Sequence, residues 1–177
     1  EMCIRDRVAS LLHPTPTIIP DPVTIIRQVQ SLARLETIQY TVEKVITAEV
    51  NQGVFGPLFG DRLLLVAHGN VIAGIDMNKI ESTHLWLEGD VLKVRLPEAE
   101  VFSATLDNKQ SYIYDRETGL LTKGDPGLET AARQAAELEI RRAAETDGIL
   151  TLALQNAKAY LERLFNTLGY LKVEFVD

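Results

Sequence analysis

Three histidines are the side chains best suited to acid–base or metal chemistry in this chain of 177 residues, and they are widely separated. His13, His68 and His84 have no second histidine at the spacing of metal ligands, and no HExxH arrangement occurs. The single cysteine, Cys3, excludes an internal disulfide and leaves too few thiolates for a zinc site. We therefore predict structural roles for the histidines, and neither a metal nor a cofactor.

Carboxylates are the next candidates for chemistry, because general acid–base catalysis needs two of them held close together in a cleft. Asp76, Glu81 and Asp90 would form such a group only if the fold brought them together, and their spacing does not indicate this. Asp76 is more simply interpreted as the cap of a short turn over residues 77–80. The sequence thus offers no catalytic residue, and an enzyme with dispersed carboxylates is the least favoured interpretation.

A glycine-rich stretch at residues 53–61 superficially resembles a phosphate-binding loop. It lacks the Lys-Ser/Thr pair of such loops, and Phe55, Leu58 and Phe59 stand where a phosphate needs bare backbone. Two interpretations remain open. The apolar side chains pack into the core, or the loop exposes them and contacts a lipid surface or a partner.

Composition and charge limit the class of protein. The chain is 46% hydrophobic and 24% charged, which is typical of a globular domain. Its net charge is −7, and Lys and Arg form no cluster of the kind that binds phosphate backbones, so nucleic acid is not expected as a partner. No stretch approaches the roughly 20 apolar residues needed to cross a bilayer.

The first 20 residues differ from the rest of the chain. Residues 1–7 resemble a translated adapter sequence, and we predict that they are not native. Prolines at nearly alternate positions in residues 14–22 favour extended polyproline geometry. Two interpretations are open for this segment: a loose terminus of a cytosolic protein, or a semi-rigid spacer that holds the domain away from a membrane helix. The remainder, residues 21–177, is predicted to form one domain.

Alternating apolar and polar residues predict a series of strands. The first covers residues 38–46, with a bulge at Glu43-Lys44 where the alternation changes phase. Three hairpins are then predicted around Gly-, Asn- and Asp-containing turns at residues 68–70, 88–90 and 107–109. Their paired strands are 62–67 with 71–75, 84–88 with 91–96, and 101–106 with 111–115.

Helices are predicted at both ends of this antiparallel meander. Asp21-Pro22 is a helix-start signal for a short amphipathic helix that runs to about Leu35. A long helical pattern covers residues 128–168, with a kink near Asp147-Gly148, and residues 171–176 alternate as a last strand. The fold class is therefore α+β, with the helices packed on one face of the sheet.

The two halves of the long helix differ in their apolar faces. Leucines dominate the second half, which is expected to pack firmly on the sheet. Alanines dominate the first half, and small side chains bury little area, so this half is expected to dock less firmly. Its residues Ala132, Ala136 and Ile140 are therefore a second candidate contact surface.

Six segments of the chain, taken in order, form a recognisable set: Leu35-Glu36-Thr37, Tyr40 to Val45, Leu64 to Gly69, Val71 to Asp76, Val94 to Pro97, and Leu168-Gly169-Tyr170. This series resembles the bacterial domain of unknown function 4230 family, and the resemblance extends from about Asp21 to the C-terminus. The resemblance implies one N-terminal transmembrane helix before a proline-rich spacer, upstream of Pro14 here, and it brings no activity and no catalytic residues.

The favoured function is a membrane-tethered, non-catalytic interaction or scaffold module, soluble itself and on an undetermined side of the membrane. Its partner would be another protein, or a second copy in a homo-oligomer. The alternative is a small-ligand or lipid-binding module, which needs an apolar cavity of about 300 Å³ or more between sheet and helix. The candidate contact residues are Phe55, Leu58, Phe59, Ala132, Ala136 and Ile140.

Overall fold

A computed structural model of the chain describes residues 22–50, 53–54 and 56–176. Residues 1–20 and Phe55 lie outside the described residues. In chain order the elements are α1 (Pro22–Gln30), β1 (Arg34–Val50), α2 (Gly56–Phe59), β2 (Asp61–Asp76), 3₁₀ turns at Met77–Lys79 and Ser82–His84, β3 (Leu85–Glu88), β4 (Val91–Arg95), β5 (Ala99–Leu106), β6 (Tyr112–Thr118), α3 (Leu128–Thr146), α4 (Ile149–Thr167) and β7 (Val173–Val176).

Two long strands form the backbone of the larger sheet. β1 has 17 residues and β2 has 16, and they pair antiparallel from Arg34 with Asp76 to Val50 with Asp61. At about 3.3 Å per residue this ribbon is roughly 50 Å long. Both β5 and β6 pair with the other edge of β2, one after the other along its length: β6 pairs with residues 61–66 and β5 with residues 69–75. β2 is therefore central, and β1 is an edge strand.

Two of the three predicted hairpins are wrong. Residues 68–70 continue β2 without a turn, and β5 and β6 pair with β2 rather than with each other.

Gly69 is needed for a reason other than a turn. A Cβ on Gly69 would lie 2.6 Å from Ile140 Cδ1 and 2.9 Å from the Thr105 carbonyl oxygen. Glycine within a strand thus marks the close approach of helix α3 here. The bulge falls between Glu36 and Ile38 rather than at residues 43–44.

The remaining hairpin, around residues 88–90, is confirmed and belongs to a second, smaller sheet. β3 and β4 pair antiparallel, with Leu85 opposite Val94, and β7 adds to β4 in parallel, with Phe175 also opposite Val94. The last strand therefore returns to the middle of the chain. The α+β fold class, with the antiparallel sheet, the short first helix and the closing strand, is confirmed.

The long helical pattern is divided in two by glycine. Gly148 has φ +84°, a left-handed conformation that L-residues rarely adopt, and it separates α3 from α4 where the kink was predicted. Gly169, at φ +99°, ends α4, and the Tyr170 amide donates to the Phe165 carbonyl as in a Schellman motif. α1 ends at Gln30, earlier than predicted.

α3 buries its alanine-rich face, which corrects the expectation for this helix. Ala132, Ala136 and Ile140 are buried against β1 and β2, in the same core as Leu63 and Leu65. Small side chains bring the helix close to the sheet, so the alanine face is tightly docked rather than loosely held. A second core lies between α4, α1 and the smaller sheet; its fully buried members include Val29, Met77, Ile80, Leu92, Leu161 and Phe165.

Candidate interaction surface

Two loops meet at the end of the β1–β2 ribbon farthest from α1. The turn containing α2 accepts backbone hydrogen bonds from the segment that follows β6. The Gly119 amide donates to the Gly60 carbonyl at 2.7 Å, and the Leu121 amide donates to the Leu58 carbonyl at 2.8 Å. The two loops therefore form one unit held by main-chain bonds.

Gly119 makes this contact sterically feasible. A Cβ there would lie 2.6 Å from both the carbonyl carbon and the carbonyl oxygen of Leu58, and 2.7 Å from the amide nitrogen of Phe59. Those atoms are backbone and cannot turn aside as a flexible side chain can. Glycine is thus required by the close approach of the two loops.

The joined loops present apolar side chains to solvent. The exposed fractions are 94% for Val54, 36% for Leu58, 46% for Phe59, 86% for Leu120 and 66% for Leu121. We call these five residues the apolar tip. Of the two interpretations of the glycine-rich loop, the structure places Leu58 and Phe59 at the surface rather than in the core.

Leu120 and Leu121 were not recognised in the sequence as part of this surface. The signal was available, because two consecutive leucines stand in an otherwise polar turn between Thr118 and Lys123. Apolar pairs in such turns are unusual unless they pack or bind. What the sequence does not reveal is that this turn lies beside the glycine-rich loop, since that juxtaposition depends on β6 pairing with β2.

A buried ion pair fixes the base of the tip. Arg116 donates to both carboxylate oxygens of Asp61, at 3.1 and 2.7 Å, and also to the Asp125 carbonyl oxygen at 2.9 Å. The Asp125 amide donates to Asp61 at 2.7 Å. These hydrogen bonds, those from Arg116 foremost, hold the pKa of the buried Asp61 carboxyl below its usual range, although burial opposes the shift.

An open groove of about 350 Å³ lies beside the tip. Residues of both loops line it, together with the charged side chains Arg62 and Glu117 at the ends of the adjoining strands. Arg62 also forms an ion pair with Glu49 at 3.3 Å. The rim of the tip therefore carries charges of both signs.

Asp76, His68 and His84, three of the residues considered for chemistry, make local structural contacts in this fold. The Asp76 carboxylate accepts from the Asn78 amide at 3.0 Å, which confirms the cap interpretation. His68 lies 3.6 Å from Glu43, and its backbone amide donates to Ser111 Oγ at 3.0 Å. His84 Nδ1 accepts from a backbone amide three residues earlier. In the described part of the chain, no three His, Cys, Asp or Glu side chains are grouped so as to hold a metal ion.

The margins between the helix layer and the sheet are shallow. Two solvent-open grooves lie where the helices meet β1, of about 410 Å³ beside Leu35–Thr37 and about 460 Å³ beside Gln39–Lys44. Both are surface features at the edge of the domain. The three helix residues of the predicted contact surface, Ala132, Ala136 and Ile140, are core residues and reach neither groove.

These features define a class of protein: an α+β domain whose two long helices pack on one face of its larger sheet, with an apolar tip built from two joined loops. The chain belongs to the family described as "Protein of unknown function (DUF4230)", whose model matches residues 27–175. No curated protein and no solved structure matches the chain. Among the described helices, none is long and apolar enough to span a membrane.

Proposed function

We propose that this domain is a non-catalytic interaction module whose apolar tip inserts into a lipid surface, and that a segment preceding the spacer tethers it to the membrane in the full-length protein. The observation that carries the proposal is the exposure of the five tip side chains on loops fixed by backbone bonds. Because these loops are already held in place, insertion of their apolar side chains into a lipid surface would not require the entropy cost of ordering a flexible loop.

The composition of the tip favours lipid over a protein partner. Protein interfaces draw most of their binding energy from Trp, Tyr and Arg, whereas Leu is under-represented among such residues. Leucine and phenylalanine are typical of segments that enter the boundary between headgroups and acyl chains. The tip consists of Val, Leu and Phe only.

The expected affinity is low, and that is consistent with a tether. Withdrawing Val54, Leu120 and Leu121 from water would contribute about 5 kcal/mol, at roughly 1.5–3 kcal/mol for each complete burial. That corresponds to a dissociation constant on the order of 0.2 mM. Stable membrane attachment generally takes two signals, so a weak tip and a tether would act together.

Flotation of the 177-residue chain with phosphatidylcholine vesicles tests the proposal. We expect weak, saturable binding, which a double substitution of Leu120→Ser with Leu121→Ser reduces at least about tenfold. Leu171→Ser is the matched control, because Leu171 is also 86% exposed but lies beside the smaller sheet at the other end of the domain.

Two outcomes would contradict the proposal. One is the absence of flotation at lipid concentrations of several millimolar, well above the expected constant. The other is an equal loss of binding in the tip variant and in the Leu171 control, which would indicate non-specific adsorption through exposed apolar residues. Because the chain carries a net charge of −7, we also expect added phosphatidylserine to weaken binding rather than strengthen it.

A further inference from the structure

The outer edge of β1 has no partner strand within the described part of the chain. β1 pairs with β2 on one side, and among the described residues no strand pairs with its other side. Alternate residues of an edge strand direct both their amide and their carbonyl away from the sheet. Such an edge is a template for adding another strand unless it is covered or interrupted.

The edge is covered at its beginning and open beyond it. At Thr37, α4 closes the edge, because Thr37 Oγ1 donates to the Ala153 carbonyl at 2.8 Å and Asn156 Nδ2 donates to the Thr37 carbonyl at 3.1 Å. Past that bulge, the groove of about 460 Å³ runs beside Gln39–Lys44 and is floored by the α3–α4 junction. A strand alongside β1 would occupy this groove.

The face of the larger sheet opposite the helices has an apolar row that ends at this edge. Val66 lies opposite Tyr112 on one side and opposite Val45 on the other. Val66 is buried between these two neighbours, whereas Val45 is 59% exposed at the end of the row. The row therefore lacks one neighbour, on the side where β1 lacks a strand.

We propose that two copies of this chain pair through β1, antiparallel, about a two-fold axis that passes between their Val45 residues. If the axis is perpendicular to the sheet, the second copy extends the sheet and each side chain stays on the same face. Residues directly opposite each other must then point to the same face, so in each symmetric register one residue lies at the axis, opposite its own copy. With Val45 at the axis, the apolar rows of the two copies become one. The row runs Tyr112, Val66, Val45 in the first copy and then Val45, Val66, Tyr112 in the second. This register pairs residues 40–50 of each copy, eleven in all, because β1 ends at Val50.

Charge selects this register among its neighbours. Centring on Glu43 or on Lys44 would place each charge opposite its own copy, and centring on Ile46 would place Glu43 opposite Glu49. Like charges directly opposite one another destabilise a strand pair. Centring on Val42 brings the partner strand against Thr37, where α4 closes the edge, and pairs nine residues at most.

In the Val45-centred register no charge faces a like charge. Lys44 lies opposite Ile46, Glu43 opposite Thr47, and Glu49 opposite Thr41 of the second copy. Such a dimer places the two ribbon ends in opposite directions, with the Val50 residues roughly 34 Å apart along the strands. If the proposed function holds, the dimer would carry two lipid-binding tips; the self-pairing itself does not depend on it.

Sedimentation equilibrium of the chain in lipid-free buffer tests the pairing. We expect a monomer–dimer equilibrium that Val45→Lys weakens at least about tenfold, because two like charges then meet at the axis. Mixing the Val45→Lys and Val45→Glu variants should restore dimers as a heterodimer. Thr47→Lys, on the same exposed face, is the matched control and should retain or tighten dimerisation, since Thr47 faces Glu43 of the second copy.

A cross-link gives a second, geometric readout. In a Cys3→Ser background, Val45→Cys should form a disulfide-linked dimer on mild oxidation, whereas Thr47→Cys should not, because only the residue at the axis meets its own copy. A chain that stays monomeric up to about 0.5 mM overturns the proposal. So does a dimer that Val45→Lys and Thr47→Lys weaken equally, or an edge that binds extended peptides while the chain remains monomeric.

Discussion

Substitution of Gly69 tests whether the alanine-rich helix is docked as closely as the structure indicates. In Gly69→Ala the new Cβ would lie 2.6 Å from Ile140 Cδ1 and 2.9 Å from the Thr105 carbonyl oxygen, well inside the 3.5–4.0 Å of ordinary contact. Overpacking of this kind costs about 1–3 kcal/mol. The new Cβ meets a fixed backbone oxygen as well as a side chain, so we expect the upper half of that range. Removing a glycine from a strand returns about 0.5–1 kcal/mol, which leaves a net loss of about 1–2.5 kcal/mol.

Ile140→Val completes a double-mutant cycle with Gly69→Ala, because it removes the Cδ1 atom that the new Cβ would meet. Alone it should cost about 0.5–1.5 kcal/mol, because a buried methyl group is lost from a core position. In the Gly69→Ala background the same change removes the nearest of the clashing atoms, so it should cost less than it does in the original chain. The expected coupling energy is about 1 kcal/mol, since the close contacts with the Thr105 carbonyl oxygen at 2.9 Å and with Ile140 Cγ2 at 3.1 Å remain.

Urea denaturation followed by circular dichroism measures the stability of the original chain, the two single variants and the double variant. Gly53→Ala serves as the control, because a Cβ at Gly53 would meet no atom within 4 Å and should leave stability nearly unchanged. Strict additivity of the two substitutions would refute the reasoning, since it would mean that Ile140 does not lie against Gly69. A cost-free Gly69→Ala would refute it as well.

Three further predictions concern the supports of the tip and the break between the helices. Asp61→Asn should cost about 3 kcal/mol at pH 7, the lower end for breaking a buried ion pair because Arg116 is 30% exposed. The pKa of Asp61 is lowered in the folded state, so this stabilisation is present above about pH 4 and is lost as the pH falls through that lowered pKa. In urea denaturation, the free energies of unfolding of the variant and of the original chain should therefore converge in acid. Gly119→Ala should separate the two loops, raising amide hydrogen exchange at Leu120 by more than about tenfold while the core stays protected. Gly148→Ala should cost about 1 kcal/mol in thermal denaturation although no atom lies within 4 Å, because φ is +84°, and Gly148→Asn should cost less.

Local patterns predicted much of the secondary structure. The helix start at Pro22, the β3–β4 hairpin and the break at Gly148 each follow from residues within a few positions of the feature. Asp76 belongs with them, because a capping carboxylate needs only the amide two residues on. Short-range chemistry determines these features, so the sequence alone indicates them.

Long-range packing accounts for what was missed. Gly69 indicates a turn when only its neighbours are considered, and its true reason, the side chain of Ile140, lies 71 positions away in sequence. The parallel addition of β7 to β4 has the same character, since nothing near Val173 specifies its partner. Burial of the alanine face follows from that close approach rather than from the small area of each alanine.

The candidate site divides in the same way. Leu58 and Phe59 were identified because bulky apolar residues are out of place in a glycine-rich loop. Leu120 and Leu121 join them only because β6 pairs with the first half of β2, which brings its following turn beside α2. The ion pair of Asp61 with Arg116 fixes that arrangement, and its partners are 55 positions apart.

Fluorescence of a probe placed on the tip tests the central proposal most directly. In a Cys3→Ser background, an environment-sensitive fluorophore attached through Leu120→Cys would be compared with the same fluorophore attached through Leu171→Cys. On titration with phosphatidylcholine vesicles, we expect a blue shift at position 120 and none at position 171, because only the tip leaves water. A probe at position 120 whose emission does not change, or equal shifts at the two positions, would contradict insertion of the tip.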